Sequence, residues 1–208
     1  MASNMKLDKE FSRRDFLKGS AGLSFAVAMS GTGGLLLPGS AKAQMAGSNI
    51  SAWLTIGSDD LITILTPGAE MGQGSMTSVP LMLAEELDAD WDKVTLEWAP
   101  ADKAIYGYGS GERKSMAIVG SRAVRSYFNV MRTAGAQVRK ILLQAAADHW
   151  GVPVDQLRTE PSVVIHTATD QRLSYGGIAA FAETPAQMPS VTEADFKKAA
   201  DYRLIGKS

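Results

Sequence analysis

From Pro67 to Thr77 the chain reads Pro-Gly-Ala-Glu-Met-Gly-Gln-Gly-Ser-Met-Thr, a glycine-rich turn whose residue types suit contact with a ligand. Gly72 and Gly74 carry no Cβ, so a ligand can approach their peptide groups closely. Gln73 offers an amide that both donates and accepts. If a helix starts just after the turn, its first unpaired N–H groups and the positive end of its dipole face the same place. The chemistry to expect is recognition of a phosphate or a similarly electron-rich group by Met71, Gly72, Gln73 and Gly74. A tight strand-to-helix turn is the plain alternative, and a bare Gly-Gln-Gly does not separate the two. A nucleotide-binding turn of Rossmann type is disfavoured. The third glycine is missing, and no acidic residue ends a second strand of a βαβ unit.

The flanking segments supply the strand and the helix. Leu61-Ile62-Thr63-Ile64-Leu65 is apolar and β-branched, and Val79, Met82, Leu83 and Leu87 recur at helical spacing, predicting a helix from about Ser78 to Leu87. Upstream, Ala52 to Ile56 reads as a strand that turns back through Gly57-Ser58-Asp59-Asp60, a hairpin signal. Val94 to Trp98 alternates as a half-buried strand, which completes a strand, strand, helix, strand unit. Glu85-Glu86 on the helix are neighbours that diverge by about 100°, so they read as a solvated edge or a structural contact rather than an acid/base pair.

Ala101 to Val124 loses periodicity and reads as a long loop. It holds Gly120, Ser121 and Arg122, and Arg113, Lys114 and Arg125 are further cations that could meet phosphate or face solvent. The next helix, from about Tyr127 to Trp150, has a continuous apolar stripe, and Ala134-Gly135-Ala136 would let another backbone come close. Gly151 with Pro153 stops it. A short turn at Pro153 to Leu157, a strand from Ser162 to His166 and a helix from Leu173 to Ala182, capped by Ser174, follow.

Composition removes several kinds of chemistry. The 208 residues contain no cysteine, which excludes disulfides, thiolate metal sites, cysteine nucleophiles and cysteine-ligated iron–sulfur clusters within the chain. His149 and His166 are not at ligand spacing and read as ordinary surface or half-buried residues. No metal site and no catalytic residue is expected. A formal net charge of -1 without a long basic run gives no electrostatic case for nucleic acid.

At the start, Ser12-Arg13-Arg14-Asp15-Phe16-Leu17-Lys18 precedes a weakly apolar stretch from Ala21 to Leu37 and the small-x-small site Ala41-Lys42-Ala43. This pattern is a twin-arginine signal peptide over residues 1–43, with the mature part at 44–208. A membrane anchor is the alternative, but Ser24, Ser30, Gly31, Thr32, Gly33 and Gly34 interrupt the stretch, and a span needs about 20 predominantly apolar residues. The expected location is periplasmic. Export of folded proteins along this route suits a cofactor inserted beforehand.

The words Glu-Met-Gly-Gln-Gly resemble the cofactor loop of molybdopterin-binding subunits in the xanthine dehydrogenase and aldehyde oxidase family. Gly120-Ser121 ahead of Arg132-Thr133-Ala134-Gly135-Ala136 is similar to a second cofactor-surrounding segment, with Thr133 where alanine is commoner. Ala84-Glu85-Glu86-Leu87, Ala145 to Val152, Leu173-Ser174-Tyr175-Gly176 and Tyr202 to Lys207 follow in the same order. Together they resemble the amino-terminal segment of the isoquinoline 1-oxidoreductase β-subunit-like branch, which includes periplasmic aldehyde dehydrogenase large subunits.

The resemblance implies an α+β fold, a small mixed sheet with packed helices, forming part of a larger molybdenum-cofactor-binding subunit. It also implies that Met71, Gly72, Gln73, Gly74, Gly120, Ser121 and Arg122 contact molybdopterin cytosine dinucleotide, shared with a carboxyl-terminal part. A small [2Fe-2S] subunit and a c-type cytochrome are the implied partners. The complete enzyme would oxidise aldehydes or N-heterocycles, with a glutamate base from a carboxyl-terminal motif that this sequence lacks. The chain is thus expected to be inactive alone, as one product of a split gene or a truncated relic. A non-catalytic exported interaction or scaffold domain is the alternative.

Overall fold

The structure, a computed structural model, describes residues 22–28, 50–185 and 187–207, so the twin arginines and the expected cleavage site lie outside the described residues. Four strands form a mixed sheet in the order β1 (Gly22–Ala28), β2 (Ile50–Gly57), β3 (Ile62–Thr66), β4 (Val94–Trp98). β1 falls within the stretch read from sequence as leader, and pairs antiparallel with β2. The β2–β3 hairpin is as expected. Asp60 takes a left-handed φ of 65° in the turn, and Asp59 accepts a hydrogen bond from the Leu61 N–H at 3.1 Å. β3 and β4 are parallel, which requires a crossover, and helix α1 (Ser75–Leu87) provides it.

After a one-turn helix α2 (Lys103–Tyr106) comes α3 (Arg122–Trp150), the longest element. Its inward stripe is Tyr127, Met131, Ala134, Val138 and Leu142. These pack with Val79, Leu83 and Leu87 of α1 and with Ile56, Ile62 and Ile64 of the sheet as one core. Gly135 is the closest approach: a Cβ there would collide with the Leu83 carbonyl oxygen and lie 2.9 Å from the Glu86 Cβ. The small-residue segment therefore does what its composition predicts. At the other end of the pair, Gly68 sits between Ala123 of α3 and Ser75 of α1, each 3.8 Å from its Cβ position. Since 75 lies near 123 and 83–87 near 135, α1 and α3 run in the same direction, with their N-termini at one end.

A second, antiparallel sheet, β5 (Leu157–Glu160), β6 (Val163–His166), β7 (Arg172–Ser174), leads into the short α4 (Tyr175–Ala179). β6 was legible. β5 and β7 were not, because three or four residues of mixed polarity leave no periodicity to read. The Ser174 hydroxyl caps α4 by accepting from the Gly177 N–H at 3.0 Å. Ser162 joins this sheet to the end of α1. Its N–H donates to the Asp88 carbonyl at 2.9 Å, and its hydroxyl accepts from the Asp90 N–H at 2.8 Å.

Two expectations need correction. α1 starts at Ser75 and α3 at Arg122, each earlier than the apolar spacing suggests, because their first turns sit over the loop end with polar or small residues. His166 is buried, its ring nitrogens facing the Thr169 hydroxyl at 2.6 Å and the Gln156 side-chain oxygen at 3.2 Å. Of the two readings of Glu85 and Glu86, the structural contact holds: both are buried. Glu85 accepts from the backbone N–H groups of Arg203, Leu204 and Ile205 at 3.0, 2.6 and 2.9 Å, and Glu86 from Lys197 N–H at 3.0 Å and Arg132 Nε at 2.8 Å. The two carboxylates thus tie an irregular segment, which runs back along α3, to the helix pair. Gln137, Lys140, Arg139 and Arg132 of α3 bind the carbonyls of Pro189, Ser190, Asp195 and Lys197 in that order.

Candidate functional site

The parallel course of α1 and α3 brings both predicted ligand segments to one end of the molecule. Met71, Gly72, Gln73 and Gly74 are exposed ahead of α1, and Gly120, Ser121 and Arg122 are exposed at the start of α3. Gly68 is the contact between them, flanked by Ser75 on one side and by Ile118 and Ala123 on the other. Sequence separates the two segments by almost fifty positions, and only the helix pairing makes them neighbours.

The turn itself is built from left-handed residues. Gly72 and Gly74 have φ of 95° and 78°, values that L side chains rarely adopt, and a Cβ at either would meet nothing within 4 Å. Their outer faces are open. Gly120 and Ser121 are also left-handed, at 71° and 59°, and the Ser121 hydroxyl makes no cap to α3.

Donors expected to point at a ligand are used within the chain. Glu70 Oε1 accepts from the N–H groups of Gly72 and Gly74 at 2.7 and 3.0 Å, and Oε2 from the Met76 N–H at 2.8 Å. The Gln73 amide folds back, donating to the Ala69 carbonyl and the Ser75 hydroxyl, each at 2.7 Å, while its oxygen accepts from the Met71 N–H at 2.7 Å. The backbone N–H groups of Met76 and Gly74, followed by that of Gly72 and the Ser75 hydroxyl, hold the Glu70 carboxyl down at about 2. An anion therefore does sit at the start of α1, and it is the protein's own.

Beside the α3 end lies Tyr108, whose hydroxyl donates to the Ala117 carbonyl at 2.6 Å. Desolvation works to raise its pKa, but the Ser115 side chain, Arg122 and Arg125 outweigh that and leave it below the ordinary phenol value. Its ring meets Tyr127 edge-on at 5.5 Å, and Tyr127 and Tyr106 each meet Trp53 in the same manner. Tyr108 carries this aromatic cluster to the start of α3, beside Arg122 and Arg125. Sequence reasoning missed the cluster because Trp53, the Tyr106–Tyr108 pair and Tyr127 come from three separate segments. Arg122, Val124, Arg125 and Phe128 are exposed on the first turns of α3.

No part of this end carries an acid/base or metal constellation. Among the described residues no group of three or more His, Asp or Glu is placed to hold a metal ion, and no helix is long and apolar enough to cross a membrane. A groove of about 610 Å³ lies far away, between the second half of α3 and Phe181, Ala182, Glu183, Gln187 and Pro189, where His149 stacks on Phe181. Gln144 on its wall is roughly 35 Å along the helix axis from Ser121.

The chain is 40% identical over 141 residues to the beta subunit of isoquinoline 1-oxidoreductase from Brevundimonas diminuta, covering 67% of this chain and 18% of that protein. It is 30% identical over 205 residues to the membrane-bound aldehyde dehydrogenase [pyrroloquinoline-quinone] of Gluconacetobacter polyoxogenes, 95% of this chain and 25% of the other. A nicotinate dehydrogenase subunit from Pseudomonas putida is 28% identical over 163 residues, 76% of this chain and 12% of its own length. The chain thus spans a quarter or less of the relatives it matches. Residues 2–204 match the family model described as the molybdopterin cofactor-binding domain, and the chain belongs to that family.

Proposed function

We propose that this chain forms one wall of the cofactor cage in a molybdenum hydroxylase that oxidises aldehydes or N-heterocycles. The observation that carries the reading is the convergence of Met71 to Gly74 and Gly120 to Arg122 at one end of the parallel helices, with the glycine faces open. These residues fit a flat pterin laid over peptide groups: neither Gly72, Gly74 nor Gly120 has an atom within 4 Å of where a Cβ would project. Arg122 would meet the phosphates, and the Ser121 hydroxyl, which caps nothing, is available as a donor or acceptor. Molybdopterin in its cytosine dinucleotide form is the cofactor this reading takes.

When bound, the molybdenum cofactor supplies the redox chemistry, and this chain holds and orients it. Gln73 and Glu70 keep the turn in shape, and the buried Tyr127, edge-on to Trp53 and Tyr108, anchors the first turns of α3. No residue of this end is placed to move a proton. The base, the remainder of the cage and the electron relay belong to a carboxyl-terminal part, to a small [2Fe-2S] subunit and to a c-type cytochrome. Twin-arginine export to the periplasm belongs to the same reading, and replacement of Arg13 and Arg14 by lysine should stop it. Export of that double variant at normal levels would remove the leader from the proposal.

The test is co-expression with the carboxyl-terminal remainder of a relative's molybdenum subunit, followed by assay of pterin and molybdenum in the purified complex. The complex should hold both, whereas the chain alone should hold no stoichiometric molybdenum. Gly74→Val should lower occupancy, because valine is strained at this φ and its side chain enters the open face. Unchanged occupancy in Gly74→Val would reduce the turn to a structural device and favour the scaffold alternative.

A further inference from the structure

We propose that Glu70 is a positioning residue: its carboxylate is a built-in anion at the N-terminal end of α1 that fixes the Gly72–Gly74 turn and leaves the outer faces of the glycine peptides, rather than the helix terminus, for a ligand. Gly74 is the N-cap of α1 and has no side chain with which to pair the first N–H groups. Glu70, four residues earlier, does so instead. One oxygen takes Gly72 and Gly74, the other takes Met76, with the Ser75 hydroxyl 3.5 Å from the second. The hydroxyl itself donates to the Ala69 carbonyl at 3.0 Å and is one of the two acceptors of the Gln73 amide.

The turn from Ala69 to Met76 is thereby closed by two side chains of its own. All four groups facing the carboxylate are neutral, namely three N–H groups and a hydroxyl. A phosphate in solution would have to displace a carboxylate tethered beside the same donors, whose effective concentration is on the order of millimolar or higher. The helix end is in this sense already filled. The depressed carboxyl pKa agrees, since Glu70 remains an anion throughout the neutral and mildly acidic range.

Only the last step, which leaves the glycine faces to the cofactor, rests on the proposed function. The test is therefore read on the chain alone, by NMR of the amide groups of Gly72, Gly74 and Met76. In the wild type these amides should shift together on acidification, at a pH well below the ordinary glutamate range. Inorganic phosphate should leave them unmoved. Glu70→Ala should speed their hydrogen exchange by about tenfold or more and make Gly74 and Met76 respond saturably to phosphate. Glu70→Gln, which keeps one acceptor oxygen, should give a smaller rise in exchange.

A wild-type turn that binds phosphate at these amides, or whose amides titrate with an ordinary glutamate, would overturn the proposal without any variant having to fold. So would unchanged exchange in Glu70→Ala. Cofactor occupancy of the co-expressed complex is a separate measurement. If the amides behave as expected and the complex still holds no pterin, the proposed function fails and the role of Glu70 stands.

Discussion

At the residue scale, the chain spends its acidic side chains on backbone N–H groups more than on cations. Glu70 organises one turn in this way, and Glu85 organises another at the far end of the same helix. The Glu85 carboxylate is fully buried. Burial acts to raise its pKa, yet the N–H groups of Arg203, Ile205 and Leu204, with the Lys197 ammonium, bring it below the ordinary value of 4.5. Removing such an acceptor leaves three buried N–H groups without a partner and the Lys197 ammonium with Asp88 alone. Glu85→Ala should cost about 3–5 kcal/mol, read from urea unfolding midpoints. A loss within experimental error would show that the 203–205 segment is not held by this residue. The residues Glu70, Glu85 and Glu86 were visible in the sequence, but their partners were not. The Glu85 bonds to residues 203–205 and the Glu86 bond to Lys197 join positions more than a hundred apart and have no local signature, while Glu70 bonds the turn just after it, where a ligand was expected in its place.

At the element scale, most helices and strands were legible because the core of this molecule is periodic. Val79, Leu83 and Leu87 on α1, and Tyr127, Met131, Ala134, Val138 and Leu142 on α3, repeat at three and four residues, and β3 alternates. The helix starts were not legible, since their first turns carry no apolar stripe. Nor was the parallel pairing of α1 with α3, which is what assembles the candidate site. That pairing rests on Gly135. Gly135→Ala should destabilise by about 1–3 kcal/mol, because the methyl group meets the backbone of α1 rather than a side chain that could move. Thr133→Ala, two residues away and half-buried, should be neutral or stabilising by up to about 0.7 kcal/mol. Equal thermal unfolding of the two variants would mean that the helices tolerate separation. The junction with the second sheet can be tested in the same manner. The buried Tyr175 hydroxyl donates to the Leu87 carbonyl at 2.7 Å, so Tyr175→Phe should cost about 1–3 kcal/mol, with the urea midpoint as the measure.

At the scale of the whole molecule, the segment 187–206 closes the fold by running back over α3 and ending under α1, and its attachment is largely carboxylate chemistry. Five acidic groups then set the response to acid, one of them the partly exposed Glu160, which Arg158 and Arg172 hold below 4.5. Glu85 lies below 4.5, as described. Asp88 lies below 3.8: burial opposes ionisation, but the hydrogen bond and charge of Lys197 prevail. The Lys140 ammonium, then the N–H and hydroxyl of Thr192, hold Asp195 at about 2. Glu70 lies at about 2 as well. In each case the folded state binds its proton less readily than the unfolded chain. The stability they contribute is thus fully present above about pH 4.5 and is lost as the pH falls through the lowered folded values. Urea midpoints measured at stepped pH should therefore be flat from neutrality to about pH 5 and fall steeply from there toward about pH 2. The buried pair Glu85 and Asp88 carries most of this dependence, because water screens the more exposed carboxylates. Glu85→Gln should start from a lower plateau and fall less steeply, by about one proton, because the group that titrates has been removed while the donors it served remain. Asp195→Asn should flatten the same region with a smaller drop in the plateau, since its pair with Lys140 is partly exposed and screened by water. If the wild type and Glu85→Gln lose stability in parallel below about pH 4.5, Glu85 does not carry the acid response, and the closure of the fold rests on its apolar contacts instead.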